Sequence, residues 1–160
     1  LALLQFSTST TYPVANLKSS ATLSPGEPIF AAGFPAYGDM TSVPLTELTE
    51  LGLVLTAGEV SLLGDRPLER GYRIGYTNFI QKGMSGGPLL NGEGEVVAVN
   101  GMHAEPLWGD PYIYKDGSQP SRSEKERMSR YSWGIPMETF VELGRSPLMP
   151  NQSTTLEVQP

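Results

Sequence analysis

The stretch that decides the fold is Gly83-Met84-Ser85-Gly86-Gly87-Pro88-Leu89-Leu90, in the second half of a 160-residue chain. It places one serine, Ser85, among glycines and follows them with a proline and apolar residues. Gly86 and Gly87 put no side chain beside the hydroxyl, so a substrate can approach the backbone closely. The N–H groups of Gly83 and Ser85 can both turn toward one point, as in an oxyanion hole for acyl transfer. Gly and Ser are also ordinary turn residues, so the surrounding chain has to distinguish a nucleophile loop from a plain turn.

The residues on either side of this loop are predicted to form strands. Residues 71–80 alternate, with Tyr72, Ile74 and Tyr76 on one face, and they lead directly into the loop. After the loop, the turn at 91–94 contains Asn-Gly and stands between two apolar runs, which predicts a hairpin. The serine loop therefore lies between strands.

The composition favours an all-β fold in one domain. With Gly 18 and Pro 14 in 160 residues, short strands joined by tight turns are expected. Further strands are predicted over residues 1–6, 28–34, 52–63 and 131–135, with a bulge or barrel corner at Gly58. Residues 137–143 are predicted to form a short closing helix, with Pro136 as its first residue and Gly144 as its end.

Three segments are predicted to lie outside this framework. Residues 7–24 are rich in Ser and Thr and suit a surface connection. Residues 105–131 are interpreted as an insertion, in which the charged run 121–130 is compatible with a short helix exposing a solvated face. Residues 146–160 are interpreted as a tail or linker, which leaves 1–145 as the folded domain. Because the chain starts in the apolar run Leu-Ala-Leu-Leu-Gln-Phe, we expect an upstream portion.

Charge and composition narrow the classes of partner. A net charge of -6 and a pI near 4.8 argue against nucleic acid or an anionic membrane as the main partner. No apolar run is long enough to span a bilayer. The chain has no cysteine, which excludes disulfides and thiolate metal sites. Peptides, proteins and small molecules remain as partners, and neither a cofactor nor a metal is predicted.

Two other ways of activating Ser85 are disfavoured. The stretch also satisfies Gly-x-Ser-x-Gly, the nucleophile elbow of α/β-hydrolases, but that elbow requires a helix after the serine and an acid before the histidine. Here a turn and a hairpin follow, and the only acids between Ser85 and His103 are the hairpin carboxylates Glu93 and Glu95. Lys82 is expected to point to solvent. His103, the sole histidine, has no acid at an evident spacing and is interpreted as a polar residue at a strand end.

The hexapeptide from Gly83 to Pro88 resembles the Gly-x-Ser-Gly-Gly-Pro signature of chymotrypsin-like (trypsin-like) serine proteases. A looser similarity to the bacterial high-temperature-requirement branch extends over most of residues 1–144 and includes Trp-Gly-Ile-Pro at 133–136. The resemblance implies a six-stranded antiparallel β-barrel, the second of two, and serine endopeptidase activity. Ser85 would be the nucleophile and Gly83 an oxyanion-hole donor. The triad histidine and aspartate would lie upstream of Leu1, on a missing first barrel.

The resemblance also implies where a polypeptide substrate would bind. Relatives line the primary pocket with residues just before the serine and on the strand after the hairpin, which here are Phe79, Ile80, Gln81, Asn100, Gly101 and Met102. No acid is among them, so we expect a neutral or apolar side chain at the cleaved position. The edge at 100–102 is also a candidate for pairing with an extended peptide.

Three further expectations follow from the same resemblance. Met84 stands where animal-type relatives have an aspartate that pairs with a newly freed N-terminus, so that activation route is not expected. The sequence itself leaves the compartment open, and the resemblance points to an exported or periplasmic location, because relatives are often exported. The alternative function is a catalytically inactive pseudoprotease that binds peptides, and an upstream sequence without the histidine or the aspartate would favour it.

Overall fold

The computed structural model describes residues 1–2, 6–36, 52–104 and 110–144. In this part of the chain, six strands form a closed antiparallel barrel in the order β1-β2-β3-β6-β5-β4. The strands are β1 (Pro28–Gly33), β2 (Val54–Leu63), β3 (Ile74–Tyr76), β4 (Pro88–Leu90), β5 (Val96–Met102) and β6 (Ser132–Pro136). Two helices, α1 (Arg122–Met128) and α2 (Met137–Gly144), and the 3-10 turn Ser20–Thr22 complete it. The expected all-β barrel with a closing helix is confirmed.

The barrel closes because β1 pairs with β2 on one side and with β4 on the other. Its interior is filled by aliphatic side chains, among them Ile29, Val60, Leu89 and Val97, which are all fully buried. Burying each side chain of this kind contributes about 1.5–3 kcal/mol relative to leaving it in water. Gly134 leaves room for this packing, since a Cβ there would lie 2.5 Å from Leu89 Cδ1.

A second apolar cluster packs the stretch 112–128, which precedes β6, against the barrel. It consists of Leu68, Met102, Tyr112, Met128 and Trp133. The Trp133 indole N–H donates to the carbonyl of Met128 at 3.0 Å, which ties the end of α1 to β6. The predicted helix within 121–130 is confirmed, although its last residue packs inward while the rest of the helix is largely exposed. No helix among the described residues is long and apolar enough to cross a membrane.

The hairpin prediction is confirmed, since β4 and β5 pair on either side of the turn. The strand predicted over 71–80 is too long, because only Ile74–Tyr76 pairs in the sheet. Gly71 lies in a turn with φ of 87° and donates its N–H to Leu68. Beyond Tyr76, the side chain of Asn78 donates to the carbonyls of Ile29 and Thr56. Besides these side-chain bonds, one backbone bond holds the segment, from the Thr77 N–H to the Glu59 carbonyl at 3.1 Å.

The bulge predicted at Gly58 is wrong in position. Pairing of β1 with β2 runs through Gly58 without a break, and the register shifts between Val60 and Leu62, where β2 pairs with β3. Gly58 is required for another reason: a Cβ there would lie 2.4 Å from Asn78 Oδ1.

Pro136 ends β6 instead of starting the helix, because it pairs with Ala98 of β5. Of the strand predicted over 1–6, residues 3–5 lie outside the described part, and the described residues 1, 2 and 6 belong to no strand. The predicted tail, 146–160, also lies outside the described residues.

Candidate active site

Ser85 is exposed on a loop between β3 and β4 that makes two tight turns. Met84 donates its N–H to the Gln81 carbonyl at 3.2 Å, and Gly87 donates to the Met84 carbonyl at 3.1 Å. Gly86, which follows Ser85, has φ of 92°, a backbone conformation that residues other than glycine adopt only at an energetic cost. A Cβ at Gly86 would meet nothing within 4 Å, so the space beside the serine hydroxyl is open.

The other two glycines of the loop are required by close packing against the end of β1. A Cβ at Gly83 would lie 2.6 Å from the backbone of Phe34 and of Ala36, and Gly83 also has φ of 97°. A Cβ at Gly87 would lie 2.0 Å from the carbonyl oxygen of Ala32. Gly87 therefore lets the loop approach β1, which differs from the role predicted from its sequence position, that of leaving space for a substrate.

Met84 anchors the loop in the barrel. Its side chain is 1% exposed and belongs to the central core cluster. The contact is close, since a Cβ at Gly33 would lie 2.8 Å from Met84 Cα. Because Met84 is buried and Ser85 is exposed, this anchor keeps the hydroxyl at the surface.

Asn100 of β5 connects to the loop on both sides of Ser85. Its side-chain amide donates to the carbonyl of Met84 at 2.8 Å. Its backbone N–H donates to the Gly87 carbonyl at 2.8 Å, and its carbonyl accepts from Gly86 at 2.8 Å. The Tyr76 hydroxyl donates to the side-chain oxygen of Asn100. Both side chains are buried, and burial raises the pKa of Tyr76, which keeps its hydroxyl protonated as a donor.

The Ser85 hydroxyl donates to the carbonyl of Gly101 at 3.1 Å. A carbonyl cannot take a proton from serine, so this contact orients the hydroxyl without activating it. Within the described residues, the N–H groups of Gly83 and Ser85 have no hydrogen-bond partner. In the same part of the chain, the half-buried His103 has no hydrogen bond or ion pair to orient it. The loop thus presents a hydroxyl and two free donors, while the described residues supply no base bonded to Ser85.

The six residues predicted to line a substrate pocket differ in accessibility. Phe79 is 70% exposed, and Gln81 and Gly101 are partly exposed. The side chains of the other three, Ile80, Asn100 and Met102, are buried. Only the first group therefore offers side chain or backbone at the surface, and the role of all six in substrate binding stays a prediction.

Tyr72 is a further residue at this site. From the sequence it was expected only on a strand face, with no role at the site. A Cβ at Gly101 would lie 2.4 Å from Tyr72 Cε1, so the ring packs directly on the residue that accepts the Ser85 hydroxyl. Burial raises the pKa of Tyr72. The only sequence signal for Tyr72 was its position in an alternating run. Such a pattern indicates that one face of a strand is buried, but it does not show which residues that face contacts.

A cavity of about 590 Å³ lies elsewhere, between the start of β3 and α2. Arg70, Arg73 and Glu138 are among its lining residues, and no residue of the Ser85 loop is. No group of three or more His, Asp or Glu side chains in the described ranges is placed to hold a metal ion.

The barrel and its serine loop match a known class of protein. A sequence profile of the trypsin-like peptidase domain matches residues 1–99, which is more than half of the chain and includes Ser85. The chain belongs to this family.

Individual relatives are named serine proteases. The mitochondrial serine protease HTRA2 of Drosophila willistoni is 29% identical over 148 residues, which is 87% of this chain and 31% of that protein. The putative serine protease HhoA of Synechocystis is 36% identical over 88 residues, 55% of this chain and 21% of that protein. The serine protease Do-like HtrA of Bacillus subtilis is 34% identical over 110 residues, 64% of this chain and 22% of that protein.

The chain thus spans less than a third of the length of these relatives. They come from bacteria and from a fly, so the similarity does not single out the bacterial type expected from the sequence.

Proposed function

We propose that this chain is the nucleophile-bearing barrel of a serine endopeptidase, with Ser85 as the nucleophile and the N–H groups of Gly83 and Ser85 as the oxyanion hole. The observation that carries the proposal is the exposed Ser85 hydroxyl on a hydrogen-bonded loop with two N–H donors that have no partner among the described residues. Membership of the trypsin-like peptidase family and the similarity to named serine proteases support it.

The chemistry is an acyl transfer in two halves. Ser85 Oγ attacks the scissile carbonyl while a base takes its proton, and the two N–H groups stabilise the oxygen anion of the tetrahedral intermediate. The proton then passes to the leaving amine, and water hydrolyses the acyl-enzyme in the second half. For this to begin, the hydroxyl must leave the Gly101 carbonyl and turn toward a base.

The base and the acid that orients it are proposed to lie upstream of Leu1, on a first barrel carrying the triad histidine and aspartate. This chain without that barrel is expected to show little or no triad-driven turnover. The proposed partners are that barrel and a polypeptide substrate, with a neutral or apolar side chain at the cleaved position. Phe79, Gln81 and Gly101 are the accessible members of the proposed substrate site.

The test is cleavage of an unstructured polypeptide such as casein by the protein with its complete upstream sequence. Ser85→Ala is expected to lower the rate by at least about a thousand-fold, because the nucleophile is lost. Ser123→Ala, which changes an exposed serine at the start of α1, is the matched control and should cleave at the wild-type rate. Cleavage unaffected by Ser85→Ala would contradict the proposal. A wild-type protein that binds casein without cutting it would instead support the pseudoprotease alternative.

A further inference from the structure

A chain of buried hydrogen bonds runs from the barrel interior to the peptide that carries Ser85. It begins at the Tyr76 hydroxyl, passes through the side-chain amide of Asn100 and ends at the Met84 carbonyl. Tyr76 is 0% exposed and Asn100 is 1% exposed. Because Tyr76 donates to the oxygen of the Asn100 amide, the nitrogen is the end that faces Met84. The Met84 carbonyl can only accept, so it requires the amide nitrogen on its side, and the bond donated by Tyr76 satisfies the buried amide oxygen and holds the amide in that orientation.

The carbonyl that Asn100 holds belongs to the same peptide unit as the N–H of Ser85. A trans peptide is planar, and its C=O and N–H point in opposite directions. The structure contains no cis peptide among the described residues. Holding the Met84 oxygen toward the buried Asn100 amide therefore turns the Ser85 N–H away from the barrel interior. That N–H is one of the two donors that have no partner in the described part of the chain.

The backbone of Asn100 fixes the loop on the other side of the serine. Its carbonyl and N–H bond to Gly86 and Gly87, each at 2.8 Å. The next residue, Gly101, accepts the Ser85 hydroxyl. One stretch of β5 thus sets the peptide before Ser85, the residues after it and the resting position of its hydroxyl.

We infer that Asn100, oriented by the Tyr76 hydroxyl, is a positioning residue that fixes the Met84–Ser85 peptide so that the Ser85 N–H faces the reacting carbonyl. The inference rests on the proposed serine peptidase function. It reassigns the Asn100 side chain from contact with a substrate to orientation of an oxyanion-hole donor. A donor that turns away by a flip of its peptide is lost to the transition state, while the rest of the substrate site is unchanged.

The test compares Tyr76→Phe with Tyr112→Phe in the protein with its complete upstream sequence. Tyr112 is also a buried tyrosine, but its hydroxyl has no hydrogen-bond partner among the described residues, so removing it tests the loss of a buried hydroxyl alone. Tyr76→Phe is expected to lower kcat about 10- to 100-fold with KM within about two-fold, because an oxyanion donor acts mainly in the transition state. Tyr112→Phe should leave both constants within two-fold of wild type.

A second variant acts on the amide itself. Asn100→Asp keeps the shape but replaces the donor to the Met84 carbonyl with an oxygen, and it should lower kcat at least as much as Tyr76→Phe. Near-ultraviolet circular dichroism checks that each variant is folded. If only one of Tyr76→Phe and Asn100→Asp folds, the kcat of that variant tests the inference. Wild-type kcat in a folded Tyr76→Phe or Asn100→Asp variant would overturn the inference, as would an equal loss in Tyr112→Phe. A wild-type protein that fails to cleave would overturn the proposed function itself, which is a separate outcome.

Discussion

At Ser85 the neighbouring glycines perform different physical tasks, although the sequence presents them as one motif. Gly86 supplies a positive φ of 92° in open space, whereas Gly83 and Gly87 let the loop press against the backbone at the end of β1. The loop that carries Ser85 could be predicted from the sequence, because strand patterns flank it and its hexapeptide resembles a family signature. The roles of Gly87 and Asn100 could not be predicted from the sequence, because they depend on contacts with residues far away in the chain.

Gly87→Ala is expected to destabilise the fold by at least about 2 kcal/mol, because a Cβ would lie 2.0 Å from the Ala32 carbonyl oxygen. Urea unfolding measures the change. Gly92→Ala in the hairpin is the control, since its Cβ would meet only Pro28 Cγ at 3.9 Å. The control should change the unfolding free energy by no more than about 0.5 kcal/mol. Equal stability of the two variants would show that the loop does not pack on β1 as described.

Among the elements, those with a local signal were predicted and those made by distant contacts were not. The hairpin of β4 and β5 follows from Asn91, whose side-chain oxygen accepts from the N–H groups of Glu93 and Glu95. Strand β3 is shorter than its alternating pattern, because Gly71 and Asn78 at its flanks are engaged in a turn and in bonds to other strands. The register shift in β2 has no sequence marker at all.

Glu138 of α2 joins this helix to the segment that precedes β1. Its carboxylate accepts hydrogen bonds from the hydroxyls of Ser19 and Ser20 and from the N–H of Ser20, the last at 2.8 Å. Burial alone would raise the pKa of Glu138, but the bonds from the two serines outweigh it and hold the pKa below its ordinary 4.5. The charged form is therefore the one that the fold stabilises.

Glu138→Gln is expected to lower the unfolding free energy at pH 7 by about 1 kcal/mol, because the charge-assisted bonds weaken. Since the folded pKa is lowered, the carboxylate's contribution is fully present above about pH 4.5 and is lost as the pH falls through the folded value. The difference between variant and wild type should shrink over that range in urea titrations from pH 7 to pH 3. A difference that stays constant with pH would contradict this assignment.

For the whole molecule, the composition predicted an all-β fold, and the resemblance to the trypsin-like family implied the six-stranded barrel. The barrel closes through β1, and the exposed Ser85 loop lies at the end of β1, in agreement with the expected barrel. The chain nevertheless shows no base bonded to Ser85 among the described residues. The proposed activity therefore requires a base that the described residues do not supply, and we propose that it lies upstream of Leu1.

Replacing His103 tests directly whether this residue is the base that activates Ser85. It is the sole histidine of the chain, and no hydrogen bond or ion pair orients it within the described residues. His103→Ala in the protein with its complete upstream sequence should leave kcat/KM for casein within about two-fold of wild type, since an unoriented imidazole is a poor general base. A loss of a hundred-fold or more with unchanged folding would make His103 the base and contradict an upstream histidine.

The central claim is that Ser85 is an activated nucleophile, and covalent labelling tests it most directly. The protein with its complete upstream sequence is treated with an organophosphonate, and the adduct is mapped by peptide mass spectrometry. We expect one stoichiometric adduct on Ser85, which disappears in Ser85→Ala and is unchanged in Ser123→Ala. A folded wild-type protein that carries no label on Ser85, or carries it on another serine, would contradict the account.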